Sequence, residues 1–319
     1  ALDTLARAPP LITLENEFVD AQVLDALEAR GARVLPRPSS VAIVQDKLLQ
    51  KQALERAGLP VPRFAAVDDT ADVVRVGEQL GWPLMLKARR DGYDGRGNRL
   101  VSRPSEGEAA LGALRASLLA EAHVPFVREL AVQVVRAADG ATVVYPTVET
   151  RQDPALHICR VVLAPAEVPA AVAEEASYIA RRAVEAVDGV GAFGVELFLL
   201  EGGRICVNEL APRPHNSAHY SIEGCVTSQF ANHVRAVLGL PLGSASMRAR
   251  AAAMVNVLGT GTAGAPNLRA ALAVADVSVH LYGKTVNRPG RKLGHVTALG
   301  ASPADALSRA QLAADRLAA

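Results

Sequence analysis

At 319 residues, half of them hydrophobic, the chain can bury several packed units, and its composition argues against wholesale disorder. Thirty-four Lys and Arg balance 33 Asp and Glu, so no global field attracts nucleic acid or a membrane surface and any anion site must be local. Cys159, Cys206 and Cys225 are too few and too widely spaced for a disulfide framework or a zinc pattern, which fits a reducing cytoplasm, and no uncharged apolar run approaches the length of a membrane span.

Residues 1–10 read as the end of a helix and its exit, so a segment upstream is expected. Residues 11–17 alternate weakly as a short strand, and 21–30 have helical spacing closed by Gly31. Residues 46–57 form a second predicted helix, with Asp46 at its start, Gly58 past its end and a joint at Pro60 to Pro62. An apolar run over 82–87 ends in Lys87, and a loop with three glycines over 89–99 precedes a strand resuming at Leu100. Runs at 129–135 and 142–148 flank Ala138-Asp139-Gly140 as a hairpin, and a second hairpin covers 192–210. Ser228 caps a helix whose apolar face is read as Phe230, Val234, Val237 and Leu238, stopped by Gly239 and Pro241. Residues 259–266 are a small-residue loop. Val277, Val279 and Leu281 alternate as a strand, and 303–317 close the chain as a helix capped by Ser302.

The second hairpin carries the sharpest chemical pattern. With Gly202-Gly203 as a two-residue turn, Glu196 faces Glu209. Two opposed carboxylates on an otherwise apolar ribbon repel by roughly 3 kcal/mol at ~5 Å with an effective dielectric of about 20. A divalent cation turns that repulsion into coordination, and magnesium suits two carboxylates plus phosphate oxygens. A solvated edge in another register is the plainer alternative.

The loop after Lys87 combines glycines with Arg89, Arg90 and Arg96, a composition suited to covering phosphates and equally to an ordinary hairpin turn. After Glu209 comes a proline-stiffened, donor-rich loop containing Arg213, His215, Asn216 and His219. Rigid donors beside a metal can stabilise developing negative charge, although His215 also reads as a supporting or capping residue. Arg288, Arg291 and Lys292 surround a Pro-Gly turn that could hold a substrate phosphate or be a solvated hairpin tip. Glu15 and Glu17 are similarly open.

Gln45-Asp46-Lys47 with Gln50-Lys51, Gly92-Tyr93-Asp94-Gly95-Arg96-Gly97, Asn208-Glu209-Leu210-Ala211-Pro212-Arg213-Pro214-His215-Asn216-Ser217, Ser228-Gln229-Phe230 and Arg288-Pro289-Gly290-Arg291-Lys292-Leu293-Gly294-His295 together resemble the N5-carboxyaminoimidazole ribonucleotide synthase family, in order and across nearly the whole chain. The resemblance implies an α/β (α+β) ATP-grasp fold. It divides the chain into a remnant of an N-terminal Rossmann-like domain (1–40), an ATP-grasp domain (41–240, its lid at about 60–120) and a small β-rich C-terminal domain (241–319). Family members open with a glycine-rich strand, loop and helix ahead of the part matched here.

It further implies ATP contacts at Lys47, Lys87, Tyr93, Asp94, Gly95, Arg96, Gly97, Asn98 and Arg99. The adenine hinge would be Glu121, Ala122, His123 and Val124, with Glu129 on the ribose and Asn208 and Glu209 also at the nucleotide. Magnesium or manganese would sit on Glu196 and Glu209. Arg213, His215 and Asn216 would be catalytic, the first two at bicarbonate and carboxyphosphate, and Glu15, Arg288, Arg291 and Lys292 would bind the ribonucleotide. Asn208 would point to the other face of a regular strand. Where the family carries a histidine, this chain reads Thr150-Arg151-Gln152-Asp153, which puts Arg151 forward as its replacement.

The implied activity is ATP- and bicarbonate-dependent carboxylation of 5-aminoimidazole ribonucleotide through carboxyphosphate, in purine biosynthesis, by a cytoplasmic homodimer with neither nucleic acid nor membrane as partner. Two alternatives are a formate-dependent glycinamide ribonucleotide transformylase, against which the loop of Tyr93 to Gly97 argues, and a nucleotide-binding scaffold without turnover.

Overall fold

The computed structural model describes residues 11–92, 97–261 and 266–318. Strand β1 (Leu11–Thr13) pairs in parallel with β2 (Arg33–Leu35), and helix α1 (Ala21–Glu28) crosses between them. The strand expected to reach residue 17 stops at Thr13, and Asn16 then folds its side chain back to accept from the Phe18 N–H at 3.0 Å, a local turn that competes with extension. Helices α2 (Pro38–Gln45) and α3 (Lys47–Arg56) follow, split at Asp46, whose extended backbone and carboxylate cap α3 through the Leu48 and Leu49 N–H groups.

A four-stranded antiparallel sheet comes next: β3 (Phe64–Val67), β4 (Leu84–Ala88), β5 (Asn98–Val101) and β6 (Leu118–Ala122), ordered β3-β6-β4-β5. Helices α4 (Thr70–Leu80) and α5 (Gly107–Leu114) cover one face, burying Val73, Val76, Leu84, Leu86 and Leu118 together. The loop from β4 to β5 carries Tyr93, Asp94, Gly95 and Arg96, which lie outside the described residues.

The rest of the chain builds a nine-stranded antiparallel sheet from β7 (Phe126–Arg136), β8 (Thr142–Val144), β9 (Val148–Gln152), β10 (Cys159–Ala164), β11 (Gly191–Leu200), β12 (Ile205–Ala211), β13 (Ala251–Leu258), β14 (Val277–Leu281) and β15 (Lys292–Gly300). Its main order is β12-β11-β7-β9-β10-β13-β15-β14, with β8 on β7. The run expected over 142–148 is divided between β8 and β9 because Pro146, which has no N–H to give a ladder, stands between them. Helix α6 (Ala170–Ala186) and α3 cover one face, and helices α7 (Ser221–Gly224) and α8 (Gln229–Leu238) pack on the other. Leu130, Val132 and Val134 enter one core while Ala131 and Val135 enter the opposite one, so the centre of β7 is apolar on both faces apart from the buried Gln133. Helices α9 (Leu268–Leu272) and α10 (Pro303–Ala318) close a third core over β10, β13 and β15.

Helix α8 is turned differently from its apolar pattern. Val237 is buried as expected, but Phe230, Val234 and Leu238 are exposed, and Gln229, Asn232, His233 and Ala236 face inward. The polar members are held by specific bonds. Asn232 donates to the Tyr145 hydroxyl and the Gly243 carbonyl, both at 2.9 Å, and His233 Nδ1 accepts from the Ala192 N–H at 3.0 Å. Satisfied hydrogen bonds remove the cost that normally keeps such groups out of a core.

Candidate active site

A cleft of about 1930 Å³ opens between the four-stranded and nine-stranded sheets. The β11/β12 hairpin forms one wall, and Glu196 and Glu209 are directly paired across it. The turn, however, spans Glu201–Gly203 rather than two glycines, so the lower pairs run Leu199 to Ile205 and Leu197 to Val207. Asn208 is then an extra residue on β12, a β-bulge that brings Glu209 back opposite Glu196. The bulge also corrects the expected direction of Asn208. Its Oδ1 accepts from Lys87 Nζ at 3.1 Å and its Nδ2 donates to Glu196 Oε2 at 3.3 Å, on the cleft side.

Three lysines meet these acids. Lys47, at the first turn of α3, forms a direct ion pair with Glu209. Lys51, one helical turn on, and Lys87, near the end of β4, hold Glu121 at 3.2 and 2.8 Å. Lys51 also donates to the Val207 carbonyl at 3.0 Å, fastening α3 to the hairpin. Lys51 was quoted in the sequence pattern without a role; its spacing of four from Lys47 on one helix was the available signal. Burial raises Glu121, but the Lys51 and Lys87 charges outweigh it and hold its carboxyl below the usual range.

The acid pair is asymmetric. Burial, and then the charge of Glu209, pushes Glu196 up to about 7. Burial acts the same way on Glu209, but the adjoining Lys47 ammonium prevails and lowers it. Oxygen donors, an incompletely offset carboxylate and no histidine or thiol in the pair fit a hard divalent cation. Among the described residues no cluster of three or more His, Cys, Asp or Glu is arranged to hold a metal alone, so such an ion would complete its shell with phosphate oxygens and water.

The strand wall sorts the remaining nucleotide candidates. Lys87 pairs with Asn98 and both line the cleft, whereas Arg99, one residue on, falls on the opposite face of β5. Gly97 adjoins this position, its N-terminal neighbours lying outside the described residues. Glu121, Ala122, His123 and Val124 line the cleft at the end of β6, and Phe126 stacks on Phe198 beside them with centroids 4.6 Å apart. Glu129 accepts from Gln152 Nε2 at 2.5 Å. Arg151 does not replace a cleft histidine: it binds Glu149 at 2.6 Å, while its neighbours Thr150 and Gln152 and the nearby His157 line the cleft. Asp46, unassigned from sequence, holds Arg89 through Oδ1 at 3.0 Å and Oδ2 at 2.6 Å, anchoring the strand end where the arginine loop begins.

On the loop after Glu209, Arg213 forms a two-point ion pair with Glu17, so this candidate anion group already has a carboxylate partner. Glu15 lines the same part of the cleft. His215 packs over Gly194: a Cβ on Gly194 would overlap His215 Cβ and lie 2.6 Å from its Cγ. The His215 Nδ1 contacts Ser217 Oγ at 2.8 Å and accepts from the Ser217 N–H at 3.4 Å, leaving Nε2, 3.5 Å from Glu196 Oε1, as the donor. Burial, with Arg213 and Lys292 nearby, lowers His215 well below the ordinary imidazole value, so the ring is neutral. Asn216 forms a reciprocal amide pair with Asn256, at 2.9 and 2.7 Å, which makes it a brace between the loop and β13. Of the terminal cations, Lys292 lines the cleft and Arg288 and Arg291 do not. Arg291 instead donates to the Val286 carbonyl at 3.0 Å within its own turn.

The ATP-grasp domain model matches residues 52–230, and the phosphoribosylaminoimidazole carboxylase C-terminal domain model matches 252–309. The chain is 46% identical to the N5-carboxyaminoimidazole ribonucleotide synthase of Synechococcus elongatus over 98% of its length and 80% of that protein. It is 44% identical to the phosphoribosylaminoimidazole carboxylase of Candida albicans, covering 96% of this chain but 55% of that longer protein. The crystal structure of the Aspergillus clavatus synthase with ADP and 5-aminoimidazole ribonucleotide superposes with a TM-score of 0.90 at 38% identity, over 99% of this chain and 84% of that one.

Proposed function

The chain belongs to the N5-carboxyaminoimidazole ribonucleotide synthase family of ATP-grasp ligases, and from that membership we propose that it carboxylates 5-aminoimidazole ribonucleotide with ATP and bicarbonate in purine biosynthesis. The observation that carries the reading is the convergence of Glu196, Glu209, Asn208, Lys47 and Lys87 on one cleft wall. Such a site offers ammonium groups to a polyanion and carboxylates to a cation side by side.

ATP lies with its base against the β6 end at Glu121 to Val124 and its phosphates toward Lys47 and Lys87. Glu196 and Glu209 would hold magnesium, which would supply positive charge to offset that of the phosphates. A bicarbonate oxygen attacks the γ-phosphorus, the bond to the ADP oxygen breaks, and carboxyphosphate forms. His215, neutral and donating from Nε2, stabilises the oxyanion without gaining or losing a proton, and Arg213, oriented by Glu17, adds positive charge. The ribonucleotide amine then attacks the carboxyl carbon, inorganic phosphate leaves and the nitrogen gives up a proton. Lys292 meets the ribonucleotide phosphate.

Measuring ADP release with bicarbonate or with formate tests this reading. Release that requires bicarbonate and the aminoimidazole ribonucleotide supports it; release sustained by formate with glycinamide ribonucleotide would replace it. We also assign a second copy of the chain as partner, supported by the exposed Val234 and Leu238 on α8 and Leu240 just beyond it. Light scattering on the purified protein tests this, and a monomeric mass at working concentration would oppose it. Among the described residues no helix is long and apolar enough to cross a membrane.

A further inference from the structure

Gln229, the first residue of α8, is fully buried against the loop that carries His215 and His219. The orientation of its amide is fixed by backbone groups of known polarity. Oε1 accepts from the His215 N–H at 2.8 Å, and Nε2 donates to the carbonyl of the same residue at 2.8 Å. That Nε2 also lies 2.9 Å from His219 Nδ1. An amide nitrogen has only donors, so His219 Nδ1 must accept, and a neutral imidazole accepting at Nδ1 carries its proton on Nε2.

The surroundings keep the ring neutral. Burial, followed by the nearby His215, Lys292 and Arg213, lowers His219 to about 3. The rings of Phe230, His295 and Tyr282 stand around it at 5.3, 5.3 and 6.2 Å. His219 lines the cleft, and Nε2 is the ring nitrogen that Gln229 does not engage. Phe230 and Tyr282, which surround it, also line the cleft, so this donor stands among substrate-facing side chains.

We propose that His219 is a further substrate-binding residue, a neutral Nε2–H donor to an oxyanion in the cleft, and that Gln229 is the positioning residue that fixes its tautomer while clamping the His215 backbone with the same amide. The inference rests on the reading of the cleft as an anion site. The oxyanion belongs either to bicarbonate and its phosphorylated form or to the phosphate of the ribonucleotide, and the test separates these sources.

Protein labelled with ring-¹⁵N histidine gives the tautomer directly, with the His219 signals identified by their loss in His219→Phe. The expected spectrum has the proton on Nε2 and a bare Nδ1. In kinetics, His219→Phe is expected to raise the KM of one oxyanion substrate about tenfold to a hundredfold, the effect of losing a hydrogen bond to a charged group. The KM for ATP is expected to stay near that of the wild type. A rise for bicarbonate assigns the first source; a rise for the ribonucleotide assigns the second. Gln229→Glu keeps the acceptor for the His215 N–H but replaces the donor facing His219, so it is expected to move the His219 proton to Nδ1 and to raise the same KM. A wild-type spectrum with Nδ1 protonated, or a His219→Phe enzyme with both KM values unchanged, overturns the proposal. If Gln229→Glu does not fold, the wild-type spectrum and His219→Phe still decide it. Should the protein carboxylate nothing, the proposed activity fails, but the spectrum still reports whether Gln229 sets the tautomer.

Discussion

Glu196 and Glu209 face each other across β11 and β12 because a bulge at Asn208 offsets a three-residue turn. The pair is therefore set by two local irregularities that compensate, and each carboxylate occupies a defined place beside Lys47 or Asn208. Glu196→Gln or Glu209→Gln is expected to abolish magnesium-dependent turnover while leaving the circular dichroism spectrum unchanged, with the loss mainly in kcat. Near-normal activity of either variant at ordinary magnesium would remove the pair from the metal site.

The raised Glu196 carboxyl predicts a pH dependence of stability in metal-free protein. Its value moves from an ordinary 4.5 to about 7 because of burial and then Glu209. In that window the folded state keeps a proton that the unfolded state releases. The resulting contribution is complete below about 4.5 and is lost as pH rises through about 7. Wild-type Tm should therefore fall across this window relative to Glu196→Gln, and magnesium with ATP should restore it at the upper end. Parallel Tm profiles of the two proteins without metal would contradict the assignment.

Gly194 provides the space in which His215 sits. Gly194→Ala should push the imidazole away from Glu196 and lower kcat/KM about a hundredfold, the usual consequence of misplacing a catalytic group by about 1 Å. The KM for ATP should change little, since the proposed nucleotide contacts lie elsewhere on the wall. An unaffected kcat/KM would mean that His215 has no positional role.

Lys292 and Arg291 are adjacent but lie differently with respect to the cleft. Lys292→Ala should weaken ribonucleotide binding by roughly 1.5–3 kcal/mol, about ten- to a hundredfold, whereas Arg291→Ala should have a much smaller effect. Calorimetric titration of both variants with ribonucleotide and with ATP checks this. Equal losses for the two variants would put the phosphate on the turn rather than on the cleft wall.

The features legible in the sequence were those governed by local rules. The Asp46 and Ser228 caps and the helix stop at Gly239 follow from capping chemistry, whereas the facing glutamates were reached through a two-residue turn that the chain does not make, and the bulge at Asn208 restores the same pairing. The features that escaped depend on tertiary context. Nothing local distinguishes a two-residue from a three-residue turn at Glu201-Gly202-Gly203, so the side of Asn208 was misjudged. The inward turn of Gln229, Asn232 and His233 depends on partners as remote as Thr13 and Tyr145, which the helical pattern does not contain. Arg288, Arg291 and Lys292 form one cluster in sequence, but backbone geometry gives only Lys292 to the cleft among the three.

The central claim is that bicarbonate is phosphorylated before the carboxyl group is transferred, and isotope transfer tests it most directly. The protein is turned over with ATP, aminoimidazole ribonucleotide and ¹⁸O-labelled bicarbonate, and the released phosphate is analysed by mass. One labelled oxygen in each phosphate is the expected result, because the oxygen that attacks the γ-phosphorus leaves with it. Phosphate carrying no label, its fourth oxygen having come from water, would show that the site of Glu196, Glu209 and His215 hydrolyses ATP without activating bicarbonate, and the account would fail.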